Sequence, residues 1–424
     1  MRETTGSLSA SPSRINKDSP QWAPAFATIL WPYTRGWGTR GVMVSSVSVR
    51  VQVRSENHLA TQHVAEGAIE RFHEPYRAAV RSLTRTSPAV ADLALTFPGL
   101  LFALASDYGT QGARDRCLGS VRAGQTLKQA AATLDFPLWL RRLPAEAFTA
   151  PFADLPDSGD FARRIVNHVP AESWKAAGWL DRVLLVRELA DDDMALWMAW
   201  RSKAVPRFRD INRLVLLCAW AWFSRQPDTF GASLIRQPFD ASLGLRKALD
   251  EAETWKKRAE LAMALGEGVR DTWYEAGNAR GYDFVPLKKL EDFLAEARQM
   301  DNCLDQFASQ VQQRNTRVFS IRKRGKPVAN LEIAPHEEDP GMPRIEQLRG
   351  PGNRRAAPGV WQAVFAWLSQ QPARPLTASR TQSAAARAIA RKLWQPYLDS
   401  LEGRNGQRHV REYLHAASLF VAEG

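Results

Sequence analysis

Residues 316–334 read TRVFSIRKRGKPVANLEIA. From Thr316 to Lys323 the side chains alternate with the two-residue period of a half-buried strand. The next three residues include Gly325, which can adopt the backbone conformations that a tight turn requires. A second extended run follows at Val328–Ala334. This stretch therefore predicts an antiparallel β-hairpin.

The segments on either side of the hairpin extend it into a compact module. A third short extended run and two helical segments complete the pattern, and an acidic loop rich in proline and glycine separates the second and third strands. The parts are a helix at 287–301, the loop at 335–343, a strand at 344–349 and a helix at about 359–370. They predict an α+β domain at residues 281–372, built as a helix, a three-stranded antiparallel sheet and a helix.

The chain ahead of this module has the three- and four-residue apolar spacing of helices. Helical segments are predicted at 112–134, 159–169, 171–203, 208–225 and 243–265, and prolines separate most of them. Most of the tryptophans in these segments have leucine and valine neighbours, which favours core packing over exposed stacking surfaces. The fold class predicted is mainly α with a C-terminal α+β module.

Four regions are predicted along the chain. Residues 1–42 have no usable periodicity and are interpreted as a disordered leader or a mis-annotated start ahead of Met43. Residues 43–280 form the helical region and residues 281–372 the α+β domain. Residues 373–424 are predicted to form basic C-terminal helices.

Composition excludes several classes of protein. The chain has 424 residues with 45% hydrophobic residues, which is inconsistent with disorder along its whole length. Three cysteines cannot build a disulfide framework and favour a reducing, cytoplasmic compartment. No apolar run is long and uncharged enough to predict a membrane span. Phosphate-binding, dinucleotide-binding and zinc-binding motifs are absent, so neither a cofactor nor a metal site is predicted.

One ordered set of residues resembles a known family. Met300-Asp301-Asn302-Cys303-Leu304 precedes the basic hairpin, which carries Arg322, Lys323 and Glu332; Gln347, Gly350 and Asn353 follow. This order is similar to the PcfJ-like domain and covers residues 287–368. The family occurs on conjugative plasmids, integrated mobile elements and phages, so the resemblance implies a mobile-element context and not a defined reaction. The long loop at 335–343 and the basic C-terminal helices depart from the family pattern.

Four polar residues of the module are candidates for a pocket: Cys303, Glu332, Gln347 and Asn353. If they converge at one end of the sheet, they could bind a nucleotide base or a peptide amide by directed hydrogen bonds. A cysteine nucleophile would also need a base, and His336 is the only histidine in the module. The alternatives are that Cys303 packs the helix against the sheet, that Glu332 pairs with a strand arginine, and that residues 350–353 form a plain turn.

Basic residues concentrate on and around the hairpin. The candidates for contact with a phosphate backbone are Arg317, Arg322, Lys323, Arg324, Lys326, Arg349 and Arg354. The formal net charge of +12 is compatible with a polyanionic partner. A solvated surface carrying these charges is the alternative interpretation.

Three functions follow from these observations. The first is a mobile-element accessory protein that binds nucleic acid through the basic hairpin. The second is an enzyme that uses the pocket of Cys303, Glu332, Gln347 and Asn353. The third is an interaction protein whose tryptophan-bearing helices contact a protein partner. A membrane partner is not predicted.

Overall fold

The computed structural model describes residues 66–152, 155, 158–170, 172–176, 178–202, 210–313, 316–376 and 383–416. The interpretations of residues 1–42 and of Met43 lie outside these ranges. Within them, no helix combines the length and the hydropathy that a bilayer crossing demands.

Helices dominate the described residues between 66 and 265. At the N-termini of several helices, a side-chain oxygen accepts a hydrogen bond from a backbone N–H of the first turn. Thr126 and Gln129, for example, form a reciprocal capping box at the start of the helix Leu127–Thr133. The helices are α1 (Glu74–Thr84), α2 (Pro88–Thr96), α3 (Pro98–Ala105), α4 (Gln111–Arg122), α5 (Leu127–Thr133), α6 (Gly159–Ile165), α7 (Ser173–Ala176), α8 (Trp179–Leu189), α9 (Asp192–Arg201), α10 (Ile211–Phe223), α11 (Phe230–Ser233) and α12 (Leu245–Leu265).

The segment predicted as one helix at 171–203 is divided into three. Gly178 has φ 75°, a left-handed conformation that ends α7 and starts α8. Asp191 accepts a hydrogen bond from the backbone N–H of Met194 at 2.7 Å and so begins α9 as a new helix. Hydrophobic spacing continued through these breaks, which is why the pattern alone did not separate the helices.

Most tryptophans of the helices are buried in the core, as expected from their neighbours. Trp179, Trp220 and Trp255 are almost completely inaccessible to solvent. The core interpretation is wrong for Trp174 and Trp200, whose exposed fractions are 62% and 50%. Arg201 lies over the Trp200 ring at 3.8 Å from its centroid, so a cation covers part of this exposed indole.

A five-stranded antiparallel sheet follows the helices. Its strands are β1 (Gly277–Ala279), β2 (Tyr282–Pro286), β3 (Arg317–Lys323), β4 (Lys326–Pro335) and β5 (Pro343–Arg349), and they pair in sequence order. The predicted α+β class is confirmed, and the sheet has two strands more than the three predicted. Gly281, where a boundary was predicted, has φ 75° and lies in the turn between β1 and β2.

Helices cover both faces of this sheet. The remaining helices are α13 (Leu290–Met300), α14 (Ala308–Gln313), α15 (Pro358–Leu368), α16 (Ser383–Ser400) and α17 (Asn405–Ala416). On one face, Trp367 of α15 stacks on Phe284 with ring centroids 4.5 Å apart and an interplanar angle of 1°. On the other face, α13 packs against β4. The resulting three-layer module leaves the polar face of β4 and β5 beside the end of α13.

The two C-terminal helices belong to the helical core. Trp394 and Tyr397 of α16 are buried in the same apolar cluster as α10 and α12. The Tyr397 hydroxyl donates to the carbonyl oxygen of Leu189 at 2.6 Å, which ties α16 to the end of α8. These helices therefore close the core that α8 to α12 begin.

Candidate functional site

A cavity of about 410 Å³ lies between the end of α13 and the sheet. All four candidate pocket residues line it. The complete lining is Asn302, Cys303, Leu304, Phe307, Gln310, Val318, Asn330, Glu332, Gln347, Arg349 and Asn353. Its volume falls in the range of cavities that bind small organic ligands.

The register of the sheet brings the polar side chains of two strands together. Glu332 pairs with Val318 on β3 and with Gln347 on β5, so these three side chains share one face. Two residues along β4, Asn330 pairs with Ser320 and with Arg349 on the same face. Directly opposed Cβ atoms in such a pair are about 5 Å apart. Glu332 and Gln347 therefore form adjacent floor positions of the cavity.

A sharp reversal after α13 presents Cys303. Asp301 has φ 47°, a left-handed conformation that ends the helix. Cys303 then precedes a single 3-10 turn at Leu304–Gln306 and is exposed. A buried ion pair holds this turn in place, because Asp305 Oδ2 accepts from Arg258 Nε of α12 at 2.6 Å. The interpretation of Cys303 as a residue packed between helix and sheet is wrong, since its side chain is accessible.

Asn353 approaches Cys303 from the opposite wall. It ends a 3-10 turn at Pro351–Asn353 and has φ 56°, a conformation that asparagine tolerates. Its Nδ2 lies 3.8 Å from Cys303 Sγ, within the range of a weak N–H···S contact. The glycine-rich turn thus positions a side chain at the cavity rim, and the two rim residues come from segments 50 positions apart.

A chain of hydrogen bonds fixes the amides beside the floor. Asn330 Nδ2 donates to Glu296 Oε1 of α13 at 2.7 Å, and Asn330 Oδ1 accepts from Asn302 Nδ2 at 2.7 Å. Glu296 is 2% exposed and also lies 3.7 Å from the guanidinium of Arg322. Because each amide has its donor and acceptor directions assigned by these partners, the cavity wall is preorganised.

Cys303 and Glu332 supply the thiol and the carboxylate of this lining. His336, the base suggested for a cysteine nucleophile, does not line the cavity. Its neighbour Glu337 pairs with Arg344 at 2.6 Å, and that guanidinium lowers the pKa of Glu337 below its ordinary value. No group of three or more potential metal ligands occurs in the described residues. Hydrogen bonding is the chemistry that this lining performs best.

The structure divides the predicted phosphate-binding residues into two groups. Arg317 is only 3% exposed: its Nε donates to the Asp271 carbonyl at 2.6 Å, and its guanidinium lies 4.3 Å from the Trp273 ring centroid. Burial lowers the pKa of Arg317 to about 10. Arg317 is therefore a structural residue, and its assignment to a nucleic-acid surface is wrong. Arg322 is half-buried, and its guanidinium pairs with the carboxylate of Glu296.

The other five candidate cations are exposed. They are Lys323, Arg324, Lys326, Arg349 and Arg354. None of them makes an ion pair with a carboxylate in the part of the chain that the structure describes. Lys323 lies 5.1 Å from the Tyr282 ring centroid. Lys323, Arg324 and Lys326 surround the β3–β4 turn and are called the hairpin-tip cations below.

A larger cavity, of about 600 Å³, lies among the helices of the N-terminal region. Charged side chains line it, and two of them bind each other: Arg71 donates to both carboxylate oxygens of Glu146 at 2.9 and 3.0 Å. Asp181 likewise accepts from the Thr149 hydroxyl at 2.7 Å. These contacts join separate segments of the helical region, whereas the smaller cavity of the α+β module contains all four predicted pocket residues and is therefore the candidate site considered further.

Sequence reasoning missed three residues that shape this site. Asn302 and Asn330 orient each other, and Phe307 adds an aromatic side chain to the wall. Asn330 carried a signal, since it lies two residues before Glu332 in a strand and so shares its face. Comparison of the chain with protein-family models, with curated proteins and with solved structures gave no match. The PcfJ-like resemblance stays a prediction.

Proposed function

We propose that this chain is a mobile-element accessory protein whose α+β module binds nucleic acid. The observation that carries the proposal is the set of exposed cations around the hairpin tip and the cavity, none of which is neutralised by a described carboxylate. The mobile-element context rests on the PcfJ-like resemblance alone.

The arrangement of these cations suits the flexible sugar–phosphate backbone of a single nucleic-acid strand. Lys326 is four residues before Asn330 on β4, a separation of about 13 Å along the strand. Arg349 is the partner of Asn330 on β5 and therefore marks the cavity end of this path. A single strand of nucleic acid that contacts the hairpin tip and then Arg349 would place its bases beside the cavity. Phosphate contacts of this kind position the ligand and release counterions.

Salt dependence of binding tests the proposal. The full-length chain is titrated with labelled single-stranded and duplex oligonucleotides over a range of salt concentrations, and binding is followed by fluorescence anisotropy. Replacing all three hairpin-tip cations by alanine removes three phosphate contacts. The slope of log K against log salt for a single strand is expected to fall in magnitude by about 2.

A matched control removes the same charge elsewhere. Arg116, Arg122 and Lys128 are exposed residues of α4 and α5, far from the module in sequence, and their triple alanine variant has the same net charge as the hairpin-tip variant. This control is expected to bind like the wild-type chain. Equal losses of binding affinity in both variants would show that the effect depends on net charge and not on the hairpin tip. Absence of binding at low salt would overturn the proposal.

An enzyme acting through the same cavity is the second candidate. The observation in its favour is the accessible Cys303 thiol beside Asn353 and in the same cavity as Glu332. Incubation with a labelled oligonucleotide, followed by a denaturing gel, would reveal a cleaved product or a covalent adduct. Either product must disappear in Cys303→Ala; an unchanged oligonucleotide with the wild-type chain leaves binding as the function of the site.

A further inference from the structure

We propose that the outer face of α15 is a platform on which unpaired bases stack, so that the nucleic acid bound by the module is single-stranded. This inference rests on the proposed nucleic-acid function and deepens it, because it names the class of strand that the module binds. Trp361 and Phe365 form the platform.

Apolar side chains lie on two sides of α15. Val360, Val364 and Trp367 are buried against the sheet. Trp361 and Phe365 lie one turn apart on a different side of the helix, and their exposed fractions are 37% and 59%. Their ring centroids are 6.0 Å apart with an interplanar angle of 33°. The two rings therefore form one exposed aromatic surface.

Tyr282 connects this surface with the hairpin-tip cations. Lys323 Nζ lies 5.1 Å from the Tyr282 ring centroid, and the ring packs against the apolar cluster that α15 and the sheet share. The Tyr282 hydroxyl also approaches the first turn of α15, since a Cβ added at Gly359 would lie 3.5 Å from it. Trp361 follows Gly359 by two residues, which is about 3 Å along the helix axis. The platform therefore begins beside the hairpin tip.

Charge around the platform favours a polyanionic partner. Arg280 is exposed in the turn between β1 and β2, and its Nη1 donates to the side-chain oxygen of Gln362, the neighbour of Trp361. Residues 347–398 contain no aspartate or glutamate, so neither α15 nor the segments on either side of it carry a carboxylate that would repel phosphate. Proteins that bind single strands without sequence preference combine such cations with exposed aromatic rings, on which successive bases stack.

Stacking on the platform requires a base with a free face. Inside a duplex, neighbouring base pairs cover both faces of each base, so only an unpaired base can lie on Trp361 or Phe365. α15 covers one face of the sheet, and the cavity lies on the other face beside α13. A strand at the hairpin tip can therefore reach the platform in one direction and Arg349 in the other. The platform adds base stacking to phosphate contact without using any group of the cavity.

Two strands with the same number of phosphates separate stacking from phosphate contact. One is an oligothymidine, and the other has the same length with abasic sites in place of the thymidines. Fluorescence anisotropy with the full-length chain measures both affinities at one salt concentration. The wild-type chain is expected to bind oligothymidine about 5- to 100-fold more tightly than the abasic strand, the range for one base stacked on an aromatic ring.

Replacing both rings by alanine, in Trp361→Ala with Phe365→Ala, removes the platform. This double variant should bind the two strands equally and should keep the wild-type affinity for the abasic strand and for a duplex. Trp361→Phe with Phe365→Trp retains two rings and should retain the preference. Trp174→Ala is the matched control: Trp174 is a 62% exposed tryptophan of α7 with Lys175 Nζ 5.2 Å from its ring centroid, and its loss should leave the preference unchanged.

A photochemical measurement on the wild-type chain needs no variant. A thymidine oligomer with iodouracil at its centre is bound and irradiated, and the adduct is located by peptide mass spectrometry. Iodouracil reacts on irradiation with an aromatic ring stacked on it, so the adduct is expected at Trp361 or Phe365. Adducts confined to other residues would overturn the platform.

The failures of the two proposals are distinguishable. Equal, salt-dependent binding of the thymidine and abasic strands would overturn the platform and leave the phosphate-binding proposal standing. A preference for oligothymidine that survives in the double alanine variant would also overturn the platform. If that variant then has a lower mass than the wild-type chain by light scattering, the two rings belong to an interface between copies of this chain. If neither strand binds at low salt, both proposals fail.

Discussion

The buried ion pair between Arg258 and Asp305 offers a sharp test of how the helical region supports the candidate site. Arg258 lies on α12, and Asp305 lies in the turn that follows Cys303. Both side chains are 5% exposed, and Arg258 also donates to the carbonyl oxygen of Leu234 at 3.1 Å. Replacing Asp305 by alanine removes the carboxylate that pairs with this buried guanidinium.

The expected cost follows from burial. A guanidinium left without its counter-charge in a low-dielectric environment destabilises a protein by about 3–5 kcal/mol. Asp305→Ala should therefore lower the free energy of unfolding by that amount. Replacing both partners, as in Arg258→Met with Asp305→Ala, removes the buried charge altogether. The double variant is expected to be more stable than Asp305→Ala alone.

Urea unfolding followed by tryptophan fluorescence measures this effect, because many of the 15 tryptophans of the chain are buried. Glu412→Ala serves as the control: Glu412 pairs with Arg408 at 2.8 Å on the exposed surface of α17 and should leave stability unchanged. A loss below about 1 kcal/mol in Asp305→Ala, or a double variant less stable than the single one, would refute the reasoning.

Three further outcomes are expected. Burial raises the pKa of the Cys117 and Cys218 thiols, whereas Cys303 is exposed. At pH 8 the native chain should therefore incorporate one equivalent of a thiol reagent, at Cys303, and the denatured chain three. Incorporation of two equivalents by the native chain would contradict the burial of Cys117 and Cys218. Arg317→Ala should lower the melting temperature, because this side chain is buried, and should keep the wild-type slope of log K against log salt in the oligonucleotide titration. A reduced slope would show that Arg317 contacts the nucleic acid. Gly406→Ala should lower the melting temperature by several degrees in a thermal scan, since the added Cβ would overlap the carbonyl oxygen of Glu188, and an unchanged value would refute that close approach.

The hairpin and the face on which its polar residues lie could be predicted because both depend on neighbours in the chain. The two-residue period of a strand assigns Asn330 and Glu332 to one face whatever they pack against. A glycine within the turn then reverses the chain, and Gly325 has φ 76° in the structure. Local stereochemistry is sufficient for these features, and the predicted strands agree with β3, β4 and β5 to within two residues.

Other features needed partners distant in the chain. β1 has three residues and β2 ends in proline, so neither has a strand signal of its own; each is held by the strand beside it. Arg317 shows the same dependence, since the two-residue period places it on the face of Phe319 and Ile321 but does not reveal that the distant Trp273 ring packs against its guanidinium. Local pattern contains no information about which distant surface will cover a side chain.

The sequence by itself determined the mainly helical class, the C-terminal hairpin and the identity of four polar residues at the cavity. Only the tertiary structure decided that Cys303 and Asn353, 50 residues apart, meet at one rim. It also decided that Asn302 and Asn330 complete the wall. The physical reason is that periodicity acts through covalent neighbours, whereas a cavity forms where separate segments pack and leave space between them.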